Sequence, residues 1–418
     1  MQFKQYPSYK NSGVEWLGDV PEHWNLKRFG YLFDENKKKN IGLKETNVLS
    51  LSYGNIKEKN IDDNKGLLPE SFETYQIIEP NNIVFRFTDL QNDKRSLRSA
   101  ISKYHGIITS AYIAVKTKQN ADFYNYLFRA YDLQKVFYSM GEGMRQSLKM
   151  DELNKMPVVL PNKDEQKRIV SFLDTETARI DNLIAKQEKL IELLEEQRKS
   201  IISHAVTKGL NPNAPMKDSG VEWLGEVPEH WIISRVKFNF RNLDSKRIPL
   251  TSEERSYRQG VYPYYGASGI IDYVNSFIFE EDLVLFSEDG ANLAYRSMPI
   301  AFVAKGKYWV NNHAHILKPF DNLTAYWACV LESVDVNLSI TGATQPKITA
   351  ENLGNICISF PPSFEERLSI NNYILEESLK IDTLILKQNQ LIEKLKEYRA
   401  SIISHAVTGK IDVREFVA

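Results

Sequence analysis

A few short stretches of this chain hold residue types that could do chemistry. His313-x-His315 offers two imidazoles that could bind a metal, but no cysteine lies nearby and the spacing is not a helical one. Glu165-Gln166-Lys167 has the Glu-x-Lys order of half a nuclease site, yet it heads a helix, where an acidic residue is expected for electrostatic reasons alone. Gly13 and Gly18 have the Gly-x4-Gly spacing of a phosphate loop, but Asp19-Val20 follows where Lys and a hydroxyl are needed. The nearest text to the Asn/Asp-Pro-Pro-aromatic loop of amino-methyltransferases is "NPNAP" at 211–215, which reads as linker. His204 and His405 fall near the C-terminal ends of helices, where His meets the dipole favourably. These stretches assign no catalytic residue and no metal site.

What must position any functional side chains is clearer, because the chain repeats itself. "SGVEWLGDVPEHW" (12–24) returns as "SGVEWLGEVPEHW" (219–231), the one change being Asp19 for Glu226. "RKSIISHAVT" (198–207) returns as "RASIISHAVT" (399–408), at an offset of 201 where the first phrase has 207. Before each second phrase runs a helical pattern. Ile180, Gln187, Leu194 and Ile201 keep a seven-residue spacing with a second apolar row beside it, and Ile381, Gln388, Leu395 and Ile402 repeat the series at offset 201. That is the seam of a coiled coil, with Gln187 and Gln388 as polar residues that fix register. Each helix of about 40 residues would span roughly 60 Å. Because the chain must pass through a second block between them, the two helices are expected to pair antiparallel.

The blocks between the repeated phrases share an order of elements, though their wording differs. "NNIVFRFTDL" (81–90) and "EDLVLFSEDG" (281–290) read as equivalent strands, as do "GIITSAYIAVK" (106–116) and "YWVNNHAHILK" (308–318). Helices are expected over 121–140 and 323–334, and each block ends in a strand running into proline. The expected fold is α+β: two mixed α/β domains separated by a pair of long antiparallel coiled-coil helices, with a pseudo-twofold internal repeat. The expected divisions are a first domain over 1–160, a long helix over 161–206, a linker over 207–215, a second domain over 216–360, a second helix over 361–408 and a tail over 409–418.

Bulk properties set bounds. With 418 residues, 42% hydrophobic and 26% charged, the chain has a globular composition and room for two domains. No apolar run reaches the ~18–20 residues of a membrane helix. The two cysteines, Cys329 and Cys357, give no disulfide framework, so a cytoplasmic location is expected. Residues 1–160 hold 23 Lys and Arg against 19 Asp and Glu, while residues 216–360 hold 13 against 17. A polyanion partner would therefore meet local patches rather than a uniformly basic surface.

Two variable blocks, each preceded by the SGVEWLGxVPEHW phrase and followed by a helix ending in SIISHAVT, resemble the specificity subunit of type I restriction–modification systems. The resemblance covers essentially the whole chain, and "EDLVLFSEDGANL" and "VNNHAHIL" strengthen it. It implies two target-recognition domains that each read one half of an asymmetric, bipartite double-stranded DNA sequence, with the helices setting the spacing. It implies no catalysis and no cofactor on this chain. S-adenosylmethionine, ATP and Mg would belong to partners: two modification (methyltransferase) subunits and the restriction/translocase subunits. A coiled-coil protein-interaction scaffold, or the specificity subunit of a modification-only phage-defence system, are the alternative readings.

Base edges are read best by Arg or Lys at guanine and by Asn or Gln at adenine. In the first block this selects Gln91, Asn92, Lys94, Arg95 and Arg98 in the loop after a strand, then Arg145 and Gln146 in a Gly-rich turn. In the second it selects Asn292 and Arg296, the latter at offset 201 from Arg95, then Asn312, His313, Gln345 and Lys347. Asp89 and Asp289 are expected to shape turns.

Overall fold

The computed structural model describes residues 3–60, 71–88, 97–140, 147–337, 339–342 and 346–416. They form two compact units, each built from both halves of the sequence. One holds Met1–Gln187 with Asn389–Ala418, the other Glu188–Gln388. Each unit thus contains one variable block, the first part of one long helix and the last part of the other.

In the first unit, strand Ile113–Thr117 pairs antiparallel with Phe33–Glu35 on one side and with Ile83–Phe85 on the other, and Ser99–Ile101 completes a four-stranded sheet. The period-two alternation of a strand explains how its centre is used. Ile83 and Phe85 enter a core with Phe29, Phe33, Phe128 and Tyr131, while Val84 joins a second cluster with Leu49, Ile56, Ile78 and Ile108. Helix Ala121–Leu133 covers the first face, its start capped by Asn120 Oδ1, which accepts from Phe123 N at 3.1 Å. The expected single helix over 121–140 is divided: Lys135 takes a left-handed conformation, φ 62°, and a second turn runs Val136–Met140.

The second unit repeats this sheet. Ala314–Pro319 lies between Phe240–Asn242 and Leu283–Ser287, with Ala301–Ala304 at the edge, all antiparallel. Val284 and Phe286 face the core that holds helix Thr324–Glu332, and Leu283 and Leu285 face a separate cluster with Tyr308 and Ile316. The two blocks part company in their additions. The first carries a short hairpin, Leu49–Ser52 with Asn55–Glu58. The second carries a longer bulged one, Gln259–Gly266 with Gly269–Val274, joined in parallel by Trp309–Val310.

The long helices run Lys163–Lys208 and Phe364–Val407. In the first unit Arg168 donates to the Arg414 carbonyl and Arg399 Nε donates to Asp181 Oδ1 at 2.8 Å, so the helix segments run antiparallel. In the second unit Arg198 Nη2 meets Asp382 Oδ1 at 2.5 Å, the same residue pair displaced by 201 positions. Of the expected seam, Ile180, Leu194, Ile381 and Ile402 are buried, and Gln187, Ile201, Gln388 and Leu395 are half-buried.

The repeated phrase is the joint where one helix begins and the other ends. Trp24 Nε1 donates to Glu165 Oε1 at 3.0 Å, and His23 Nε2 lies 2.9 Å from Oε2. Trp231 and His230 hold Glu366 in the same way, at 3.0 and 2.9 Å. The opposite helix arrives at the same tryptophan. Gly409, φ 75°, stands where a Cβ would overlap the Pro21 ring and press on Trp24, and Gly209, φ 78°, faces Pro228 and Trp231. Lys410 Nζ donates to the carbonyls of Leu17 and Asp19, and Lys208 Nζ to those of Leu224 and Glu226. Glycine and lysine swap order between the copies, yet the lysine finds equivalent carbonyls.

Candidate nucleic-acid interface

At one end of the second block's sheet three segments converge. Ser287 pairs with Ala314, and Glu288 N donates to His313 O at 2.9 Å. Beyond them Asp289 forms a bridge with Lys347, Gly290 N donates to Pro346 O at 2.9 Å, and Ile348 N donates to Glu288 O at 2.8 Å. Backbone pairing therefore gathers the strand end at 287–290, the "NNHAH" turn and Pro346, Lys347 and Ile348 into one platform.

Under the platform lies a charged network. The Glu288 carboxylate is held between Lys347 Nζ, 3.0 Å from Oε1, and the Arg247 guanidinium on Oε2. Arg247 also donates to the carbonyls of Ala314, at 3.0 Å, and Asn312, at 3.3 Å. Asp244 accepts from Ile316 N at 2.8 Å and lies 2.6 Å from His315 Nδ1. Burial alone would raise the pKa of both carboxyls. For Asp244 the His315 ring and the Ile316 N–H outweigh it, and for Glu288 the Arg247 and Lys347 cations do, so both are held below the usual carboxylate range.

What reaches solvent is a compact set of donors: Asn312, His313 and Lys347 are exposed. His313 Nδ1 lies 2.8 Å from Asp289 Oδ2, so this carboxylate orients the ring. An ammonium, an amide and an imidazole on a rigid base suit acceptors on base edges and phosphate oxygens. The two histidines of His313-x-His315 do not converge. His315 is buried in the network with its Nε2 3.0 Å from Ile348 O, while His313 faces outward. Among the described residues no group of three or more His, Cys, Asp or Glu is placed to hold a metal.

Three of the sequence-selected residues have side chains tied into the fold. Asn292 closes its own loop: its Oδ1 accepts from Met298 N at 2.8 Å and its Nδ2 donates to Met298 O at 2.9 Å. Arg296, left-handed at φ 50°, turns back onto helix Thr324–Glu332, where its guanidinium donates to the carbonyls of Glu332, at 2.7 Å, and Val334. A cation there satisfies the unpaired carbonyls of a helix end. Arg98 is fully buried. Its backbone N donates to Asp132 Oδ2 at 2.5 Å and its guanidinium to Thr88 O at 3.3 Å, so it braces the sheet edge. Gln91, Asn92, Lys94, Arg95, Arg145, Gln146 and Gln345 lie outside the described residues. Sequence reasoning missed Asp244, Arg247 and Glu288, which only the fold brings together.

These placements separate two kinds of mutant. Arg296→Ala should cost about 1–2 kcal/mol of unit stability by leaving part-buried carbonyls unpaired, without changing any sequence preference. His313→Ala should change stability by less than about 1 kcal/mol and Lys347→Ala, which takes one of two cations from the buried Glu288 carboxylate, by about 1–2 kcal/mol; both should alter DNA discrimination. Denaturant midpoints and competitive DNA binding, measured side by side, check the contrast. Sequence discrimination lost in Arg296→Ala but kept in Lys347→Ala would reverse the assignment.

The model of the type I restriction modification DNA specificity domain matches residues 100–193 and 234–400. Over 99% of both chains the sequence is 23% identical to a putative type I restriction enzyme MjaX specificity subunit of Methanocaldococcus jannaschii. It is 34% identical to the putative specificity subunit S.HindORF215P of Haemophilus influenzae, over 29% of this chain and 30% of that one. Among solved structures, one described as showing the structural basis of complex assembly and conformational transition of the type I R-M system superposes with a TM-score of 0.65 at 15% identity, covering 93% of this chain and 98% of that chain. The HsdS subunit of Thermoanaerobacter tengcongensis superposes with a TM-score of 0.52 at 15% identity, covering 94% and 98%.

Proposed function

The chain belongs to the type I restriction modification DNA specificity family, and we propose on that ground that it is the sequence-reading subunit of such a complex. Each variable block reads one half of an asymmetric, bipartite double-stranded DNA target. The observation that carries this reading is the repeated four-stranded sheet, built twice on one plan with different side chains at the ends of its strands. A shared scaffold with unlike surfaces suits two unlike half-sites, where two identical blocks would suit a palindrome.

Methyl transfer and DNA translocation then fall to partners: two modification subunits carrying S-adenosylmethionine, and restriction subunits using ATP and Mg. This chain supplies address rather than chemistry. The long helices, of 46 and 44 residues, set the distance between half-sites. At ~1.5 Å per residue they exceed the ~34–36 Å between half-sites one DNA turn apart.

The test joins this chain to modification subunits in a methyl-free host and maps methylated adenines. One bipartite sequence is expected to be methylated. Exchanging residues 25–160 for the block of another specificity subunit should change one half of that sequence and leave the other intact. Methylation without sequence preference, or a mapped sequence that the exchange leaves unchanged, would refute the reading.

A further inference from the structure

The bulged hairpin of the second block brings apolar side chains to the edge of the platform. Two bonds tie its turn there: Asn311 N donates to Tyr265 O at 3.0 Å, and Ser287 Oγ donates to Ala267 O at 2.5 Å. Gly266 lies between them. A Cβ added at this glycine would stand 3.0 Å from Ile271 Cγ2 and 3.5 Å from Asn311 Nδ2, so the isoleucine and the amide flank it. Asn311 Oδ1 in turn accepts from His313 N at 2.8 Å. Ile271 therefore borders the turn that presents Asn312 and His313.

A bulge sets this isoleucine apart. Tyr264 pairs with Asp272 and Tyr265 with Ile270, which leaves Ile271 as the extra residue. Successive side chains of a regular strand point to opposite faces, yet Ile270 and Ile271 are 45% and 55% exposed. Bulges re-aim side chains in this way and recur beside functional sites. The first block's hairpin, Leu49–Ser52 with Asn55–Glu58, keeps an unbroken register. The carboxylates nearest in sequence to the hairpin end and the platform are already engaged. Asp272 accepts from Arg255 Nε at 2.9 Å, and Glu288 is held by Arg247 and Lys347.

A two-stranded ribbon fits the major groove of B-DNA, where thymine shows its O4 acceptor beside a C5-methyl group. An amide or imidazole donor next to an exposed isoleucine matches that pair. We propose that Ile271, with Ile270 beside it, is a thymine-reading contact of the second block and packs on this methyl group. The proposal rests on the reading of the chain as a DNA specificity subunit.

The test uses this chain with its modification subunits and duplexes bearing the mapped target, each thymine replaced in turn by deoxyuridine. That change removes only the C5-methyl group. In the half that exchange of residues 25–160 leaves intact, one replacement should weaken binding about fourfold, the worth of one buried methyl. Ile271→Ala should bind the thymine and uracil duplexes alike, whereas Ile271→Val should keep most of the difference. Ile271 faces solvent, so the melting temperature should move little in either variant. A complex with no sequence preference removes the DNA reading itself, and this proposal with it. A mapped target whose second half lacks thymine in both strands overturns the proposal alone. So does a half-site indifferent to every uracil, a uracil penalty that Ile271→Ala leaves unchanged, or an Ile271→Ala chain that no longer assembles with modification subunits.

Discussion

Trp24→Ala lowers the stability of the unit holding Met1–Gln187 and Asn389–Ala418 by about 3–5 kcal/mol, the cost of removing a large, fully buried aromatic side chain. The indole is the meeting point of three segments. It packs against Tyr6 with ring centroids 5.9 Å apart, closes over Gly409 at the end of one helix, and donates to Glu165 at the start of the other. Truncation leaves a cavity and also removes a donor from a carboxylate whose side chain is 2% exposed. Trp24→Phe keeps most of the packing and loses the hydrogen bond, so about 1–3 kcal/mol is expected. The second joint is wetter, with the Glu366 side chain 34% exposed, so Glu366→Gln should cost less than Glu165→Gln. Hydrogen exchange resolved by segment measures each unit separately. Equal losses of protection in both units on Trp24→Ala, or a larger loss in Glu366→Gln than in Glu165→Gln, would defeat this account.

The joint shows why the frame could be read from sequence. A glycine that must adopt positive φ against an indole, a glutamate that must meet that indole's N–H, and an apolar row on a helix are all local demands on residue type. They recur in the second copy with little change of wording. The central strands were legible for a similar reason: a run such as Ile83-Val84-Phe85 or Leu283-Val284-Leu285-Phe286, buried on both faces, is apolar at successive positions. The site was less legible. Arg296 and Asn292 stand in a loop rich in donors, but nothing in their spacing reveals the left-handed turn that sends the guanidinium to a helix end. Arg247 and Glu288 are 41 positions apart, and Asp244 and His315 are 71 apart. No periodicity links such pairs, and His315 could be read as a metal ligand until its carboxylate was seen.

Asp244→Ala should be the most damaging single change near the candidate interface, costing about 3–5 kcal/mol, as expected when one partner of a buried pair is removed. His315, 2% exposed, would lose the carboxylate at its Nδ1, and the Ile316 N–H would lose its acceptor. The pH dependence gives the effect a signature. Asp244 has a lower pKa folded than unfolded, so its contribution is complete above the unfolded value of about 3.9. That contribution is lost as pH falls through the lower folded value. Glu288 is shifted in the same direction and adds to the loss from an unfolded value near 4.3. Denaturant titrations between about pH 7 and 3 should therefore show the stability gap between wild type and Asp244→Ala narrowing only at the acid end. A gap that stays constant to the lowest pH would mean that shape, not charge, holds the network, and Asp244→Asn would then match wild type. Since Asn312, His313 and Lys347 rest on this network, Asp244→Ala should also blur the half-site read by the second block while leaving the other half sharp. A mapped target that keeps its second half intact in this variant would detach DNA reading from the platform.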